Sequence, residues 1–173
     1  GYYALKNNTT GAYNAAVGPY ALNNNTSGDA LVGVGYQALY SNTSGSYNSA
    51  VGMYALAFNT TGSYNAGFGT YALYKNTTGN ANMGIGYGAL FNNTNASYNA
   101  AIGMYSMYNN TTGGRNVSVG YQSLYKNTTG SATPPLALLR ATSTRLDPTT
   151  SSSVTSPVRI PMLETTLLWV HPL

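Results

Sequence analysis

Large apolar residues recur along this chain at a spacing that fits neither an amphipathic helix nor a single alternating strand. Counting from Gly1, the fifth place of every seventeen holds Leu5, Leu22, Leu39, Leu56, Leu73, Leu90, Met107 or Leu124. The seventeenth place holds Val17, Val34, Val51, Phe68, Ile85, Ile102 or Val119. Small residues flank them, since the fourth and sixteenth places are Ala, Gly or Ser throughout. A glycine opens each unit, at positions 1, 18, 35, 52, 69, 86, 103 and 120, and no insertion or deletion breaks the period through Ser131. Self-similarity at a fixed period marks a repeat architecture, in which each unit buries its apolar face only against its neighbours.

A unit of seventeen residues is too short for the common helical pairs, whose periods run from roughly 33 to 47 residues. Gly, Asn, Thr and Tyr crowd each unit and disfavour helix. The pattern therefore predicts two short strands per unit, "YNAAV" at the thirteenth to seventeenth places and "YYALK" at the second to sixth, bent at the opening glycine and closed by an "NTTG" loop. The fold class that follows is all-β: a β-solenoid, or β-roll, of eight coils stacked at about 4.8 Å, making a rod on the order of 40 Å long. Both apolar columns are expected to point inward as core ladders. The eighth place is always Asn and the ninth always Thr, as in Asn25-Thr26 and Asn59-Thr60. Stacking explains that fidelity, because each Asn amide can donate to one neighbouring copy and accept from the other. The glycine at the eleventh place, replaced only by Ala96, is expected to supply a positive φ at the end of the turn.

Composition narrows the function. Charged residues make up 6% of the 173 residues, and the formal charge of +4 rests within the repeats on Lys6, Lys75, Arg115 and Lys126 alone. These are too sparse for a phosphate-tracking stripe, so nucleic acid is not an expected partner. There is no cysteine, hence neither a disulfide framework nor a thiolate metal site. No apolar run approaches the ~20 residues of a membrane-spanning helix. The chain starts on a repeat boundary without Met, which reads as a mature or cropped piece of something longer. Acid–base and metal chemistry need convergent carboxylates, His or Cys. Residues 1 to 131 offer Asp29 and nothing else of that kind, so neither catalysis nor a cofactor or metal is expected.

Two columns carry candidate chemistry. The loops read as N-glycosylation acceptors at Asn8, Asn25, Asn42, Asn59, Asn76, Asn92, Asn110 and Asn127, with Asn95 as a further acceptor in the irregular "NNTNAS" loop. Tyr13, Tyr47, Tyr64 and Tyr98 share the thirteenth place, and more tyrosines cluster at the second, third and sixth. They suit either a sheet-covering assembly face or a platform for stacking sugars. "VGVGY" at 32 to 36 and "GIGYG" at 84 to 88 look like an ion filter or a dinucleotide loop, but both are the junction between consecutive units.

The run N-x-A-V-G-x-x-A-L, as in "NAAVGPYAL", "NSAVGMYAL" and "NAAIGMYSM", resembles the head repeats of trimeric autotransporter adhesins. It is equally similar to the seventeen-residue arrays of bacteriophage and viral tail fibres and related bacterial surface proteins. The likeness spans residues 1 to 131 and implies an extracellular or virion-surface rod, often trimeric, that displays or connects without an enzymatic site. The adhesin units are shorter, so the NTTG loop is an addition in this chain. A thin core with one Leu and one Val per coil points the same way, because lateral burial of the Tyr and Ala faces would supply what the core lacks. The expectation is a structural fibre or adhesin shaft that assembles with itself, side by side or end to end. The competing reading is a binding module that holds glycans on its Tyr rows or, less well, ice on its Thr ladder.

After Ser131 the composition changes. Residues 132 to 173 contain no Gly, Asn or Tyr but hold six of the seven prolines and the only Trp and His. One reading is a Ser/Thr/Pro-rich tail. The other is an out-of-frame continuation of the repeats: shifting the codons of "LETTLLWV" by one frame can encode G-N-N-T-A-V-G.

Overall fold

A computed structural model describes residues 1–132; the 133 to 173 segment, and with it both readings of the tail, lies outside the described residues. Among the described residues seven strands occur: β1 (Ala15–Val17), β2 (Val32–Val34), β3 (Ser49–Val51), β4 (Ala66–Phe68), β5 (Met83–Ile85), β6 (Ala100–Ile102) and β7 (Val117–Val119). They form one parallel sheet in chain order. Register follows the sequence period, with Ala15 beside Val32, Val32 beside Ser49 and so on to Ile102 beside Val119. The described residues are thus an all-β parallel solenoid with no helix.

Each coil has one strand, not two. The expected strand at "YNAAV" shrinks to its last three residues, and the one at "YYALK" is a run of linked turns. In the second unit the N–H groups of Ala21, Asn23 and Asn25 bond within the coil, to Gly18 O, Tyr20 O and Leu22 O at 3.4, 3.3 and 3.2 Å. The intervening N–H groups of Tyr20, Leu22 and Asn24 reach neighbouring coils, at Tyr2 O, Ala38 O and Tyr40 O. This arrangement places Tyr20 and Leu22 at φ 58° and 53°, left-handed values repeated at the third and fifth places of the other units. Such a conformation costs a non-glycine residue roughly 1–2 kcal/mol. It persists because bonds inside the coil and to the coils on either side over-determine it.

The core is a file of large side chains at the fifth place, joined in the second unit by the buried Leu31. Leu22, Leu39, Leu56, Leu73, Leu90 and Met107 are wholly buried, while Leu5 and Leu124 at the ends of the stack are partly so. The seventeenth-place column does not join them. Val17, Val51, Phe68, Ile85, Ile102 and Val119 are exposed and Val34 is half-buried, so this expected inner ladder lies on the outside. Strand alternation explains the reversal: the sixteenth residue points inward, and the fifteenth and seventeenth point out. The inward residue must be small because it meets the leucine directly; a Cβ on Gly33 would lie 3.2 Å from Leu22 Cγ, and one on Gly84 3.3 Å from Leu73 Cγ. Ser106 and Ser118 occupy the fourth and sixteenth places of one unit and bond through their hydroxyls at 2.8 Å, which shows how closely the two walls approach. Truncating Leu56→Ala should therefore cost about 2–5 kcal/mol. Val51→Thr, at a side chain 38% exposed, should shift the urea midpoint of the unassociated chain little. Equal losses for the two variants would contradict the assignment of the faces.

The eleventh-place glycine also has a different reason than expected. Gly11, Gly28, Gly45 and their equivalents do not have positive φ. A Cβ on Gly28 would collide with Gly45 O in the next coil and stand 2.6 Å from Asn25 Oδ1. Close approach, not handedness, requires glycine there. Where Ala96 stands instead, Thr94 N–H still reaches Thr111 O at 3.1 Å, without the companion bonds that Thr61 and Gly62 make to Thr77 O.

Candidate functional site

The most elaborate side-chain arrangement in the solenoid is a polar spine. Asn25 Nδ2 donates to Asn8 Oδ1 at 2.7 Å, and the same bond repeats from Asn42, Asn59, Asn76, Asn93, Asn110 and Asn127 to the preceding copy at 2.8 to 2.9 Å. The second amide hydrogen closes the turn on the eleventh-place carbonyl three residues on, as from Asn59 to Gly62 O at 2.9 Å. The interior Asn side chains, from Asn25 to Asn110, are completely buried.

This geometry corrects the glycosylation reading. At Asn25, Asn42, Asn59, Asn76 and Asn110 both amide hydrogens are donated inside the protein, and a sugar on Nδ2 would break the spine. Asn8 and Asn127, in the end coils, are half-buried with amides bonded to Gly11 O and Asn110 Oδ1. Asn92 is half-buried at the seventh place, its amide donating to Asn109 Oδ1 at 3.3 Å. Asn95 is exposed.

A second spine was not recognised in the sequence. Asn14, Asn48, Asn65, Asn82, Asn99 and Asn116 share the fourteenth place, where the single departure is the buried Leu31. Asn65 donates to Gly79 O at 2.8 Å, and its Oδ1 accepts from Asn82 N–H at 3.0 Å. The signal was available as a near-invariant column inside the N-x-A-V-G motif. Every buried side-chain nitrogen and oxygen among the described residues has a hydrogen-bond partner.

The Thr column lines one side of the Asn turn. From Thr9 to Thr111 each hydroxyl donates to the backbone carbonyl of the next Thr, as from Thr26 to Thr43 O at 2.9 Å and Thr60 to Thr77 O at 3.0 Å. Those protons are committed to the backbone, so the row is a seam rather than a free hydroxyl lattice. Next to it, a shallow groove of about 420 Å³ runs along Lys75, Asn92, Thr94, Asn109, Thr111 and Lys126.

Aromatic rings at the sixth place form another axial stack. Tyr74, Phe91, Tyr108 and Tyr125 follow one another with centroids 4.9 to 5.4 Å apart and planes within 27°. On the thirteenth-place row, Tyr47 and Tyr64 stack at 5.0 Å and 5°. Rings stacked in this way cover each other's faces, which are the surfaces a sugar would need. Burial chiefly, with nearby Tyr125, Tyr105 and Tyr87, raises the Tyr108 phenol above its usual range; burial and Tyr36 do the same for Tyr54. A folded value raised above the unfolded ~10 means stability that is complete below that pH and lost as pH climbs through the folded value. The melting temperature should accordingly hold up to about pH 10 and fall above it, and less steeply in Tyr54→Phe/Tyr108→Phe. Melts read by circular dichroism alongside phenolate absorbance test this; a melting temperature flat through the tyrosine titration would refute it.

Among the described residues no group of three or more His, Cys, Asp or Glu could hold a metal, and no helix is long and apolar enough to cross a membrane. Comparison with protein families, curated proteins and solved structures returned no match. What the geometry defines is a class: a parallel β-solenoid of tandem seventeen-residue repeats whose ordered chemistry is axial cohesion.

Proposed function

We propose that this chain is a structural rod, the shaft segment of an extracellular fibre or surface adhesin that assembles with further copies of itself. On this reading all eight sequence units are coils of one stack, the protein performs no chemistry, and its place is a cell or virion surface. The observation that carries the proposal is the destination of its polar side chains. The Asn, Thr and second Asn columns are bonded to the coils above and below, not gathered round a cleft. Repetition of one contact along an axis builds length and stiffness, which are the properties a shaft needs. The rod's resemblance in motif to adhesin heads, and in period and motif to tail-fibre arrays, supports the same setting.

Electron microscopy of the purified chain in negative stain is the direct test. Filaments or bundles much longer than the ~40 Å of eight coils at strand spacing are expected. Discrete single particles at high concentration, together with specific glycan-array binding by the same preparation, would replace the shaft with a binding module.

A further inference from the structure

The exposed faces of this solenoid differ sharply in chemistry. Charged side chains among the described residues stand at the sixth place (Lys6), the seventh (Lys75, Lys126), the twelfth (Asp29) and the thirteenth (Arg115). The fifteenth, seventeenth and second places carry none. There the surface presents Val51, Phe68, Ile85 and Ile102 in one row, with Met83 and Val117 on one flank and Met53 and Met104 on the other, all exposed. A row of β-branched and aromatic side chains repeated on successive parallel strands, without a single charge, is the composition of an interface core.

We infer that this face is the lateral assembly surface and that its occupant is a second copy of the same chain, packed side by side and parallel. The inference rests on the shaft reading for its biological setting. Two features select a second copy. First, the face is ridged: the seventeenth row is large throughout, whereas the fifteenth is low at Ala15, Ser49, Ala66 and Ala100 and rises only at Val32, Met83 and Val117. A twofold axis parallel to the rod sets the ridge of one copy into the furrow of the other, and the reverse contact follows by symmetry. A twofold across the rod would instead set ridge on ridge. Second, the extent suffices. Six strand spacings of about 4.8 Å by the strand's two outward rows about 6.6 Å apart, widened by the exposed second-place residues beyond the opening glycine, give roughly 500 Å² per copy at most, hence about 1,000 Å² in all. That is the lower bound of a specific interface, so pairing should be concentration-dependent.

The face is tested by light scattering and sedimentation of the whole chain across a concentration series. The wild type should exceed monomer mass, and Ile85→Lys/Ile102→Lys should raise the dissociation constant at least tenfold while leaving the circular dichroism spectrum unchanged. Tyr64→Lys, on the thirteenth-place row, should not. Because the chain has no native cysteine, Ser49→Cys chains mixed with Val51→Cys chains should form a disulfide-linked pair, and Tyr64→Cys chains should not. A monomer at all concentrations overturns the inference, as does pairing indifferent to the lysines or a monomer captured through this face by neutral phospholipid vesicles. Filaments that persist unchanged in Ile85→Lys/Ile102→Lys overturn the lateral face while leaving the shaft reading intact; filaments lost together with pairing support both.

Discussion

Replacing Asn59 by Asp, a change of one nitrogen for one oxygen, is expected to destabilise the solenoid by about 3–5 kcal/mol at neutral pH. Asn59 is completely buried, and its Nδ2 donates to Asn42 Oδ1 at 2.8 Å and to Gly62 O at 2.9 Å. A carboxylate would set an acceptor against both acceptors. Only the bond received by Oδ1 from Asn76 would survive. The variant's carboxyl, buried among acceptors, should have a folded pKa above the unfolded ~3.9. Its neutral form is the one the fold tolerates, so the deficit should be smallest near pH 4 and grow as pH rises. The exposed Asn95→Asp serves as the comparison and should change stability by no more than ~0.5 kcal/mol. Urea unfolding of both variants at pH 4 and pH 7 reads the outcome. An Asn59→Asp chain as stable as Asn95→Asp would mean that the spine is not formed.

The second large effect is at the opening glycines. Gly52 has φ +134°, a region that side chains rarely adopt, and a Cβ there would sit 2.6 Å from Gly69 C and 2.7 Å from Gly69 O. Backbone strain of about 1–3 kcal/mol adds to a clash with main chain that cannot rotate away, so Gly52→Ala should cost more than ~3 kcal/mol. A Cβ on Gly84, at the sixteenth place, would lie 3.1 Å from Ala89 O and 3.3 Å from Leu73 Cγ, and alanine already fills that place at Ala50 and Ala101. Gly84→Ala should stay within about 1 kcal/mol of wild type. Thermal melts of the two glycine variants decide the matter, and indistinguishable midpoints would refute the close-packed glycine column.

Those two positions also show how much could be read from sequence. The period gave the strand register directly, because in a stack each residue pairs with its own copy: Asn25 with Asn8 and Val51 with Val34 were legible before any coordinates. The inward leucine column was legible for the same reason. The orientation of the seventeenth column was not, although the small sixteenth residue was the clue: it is the one that meets the leucine, and strand alternation then turns the seventeenth outward. The linked turns were hidden more deeply. Local propensity places Tyr and Leu in extended or helical backbone, and here Tyr54 and Leu56 sit at φ 59° and 53° because neighbouring coils demand it. At the interior positions Asn25, Asn42, Asn59, Asn76 and Asn110 the acceptor motif misled because it specifies three residues and says nothing about what the amide nitrogen already binds.

The amides of the Asn spine all face one way: from Asn25 to Asn127 the donor belongs to the later coil and the acceptor to the earlier one. The rod therefore has an electrical sense, with its two terminal faces chemically unlike. Any copy added along the axis must continue that arrow, since opposed rods would bring donor to donor or acceptor to acceptor. If copies add along the axis as the shaft proposal requires, growth would be vectorial, giving a filament with distinguishable ends.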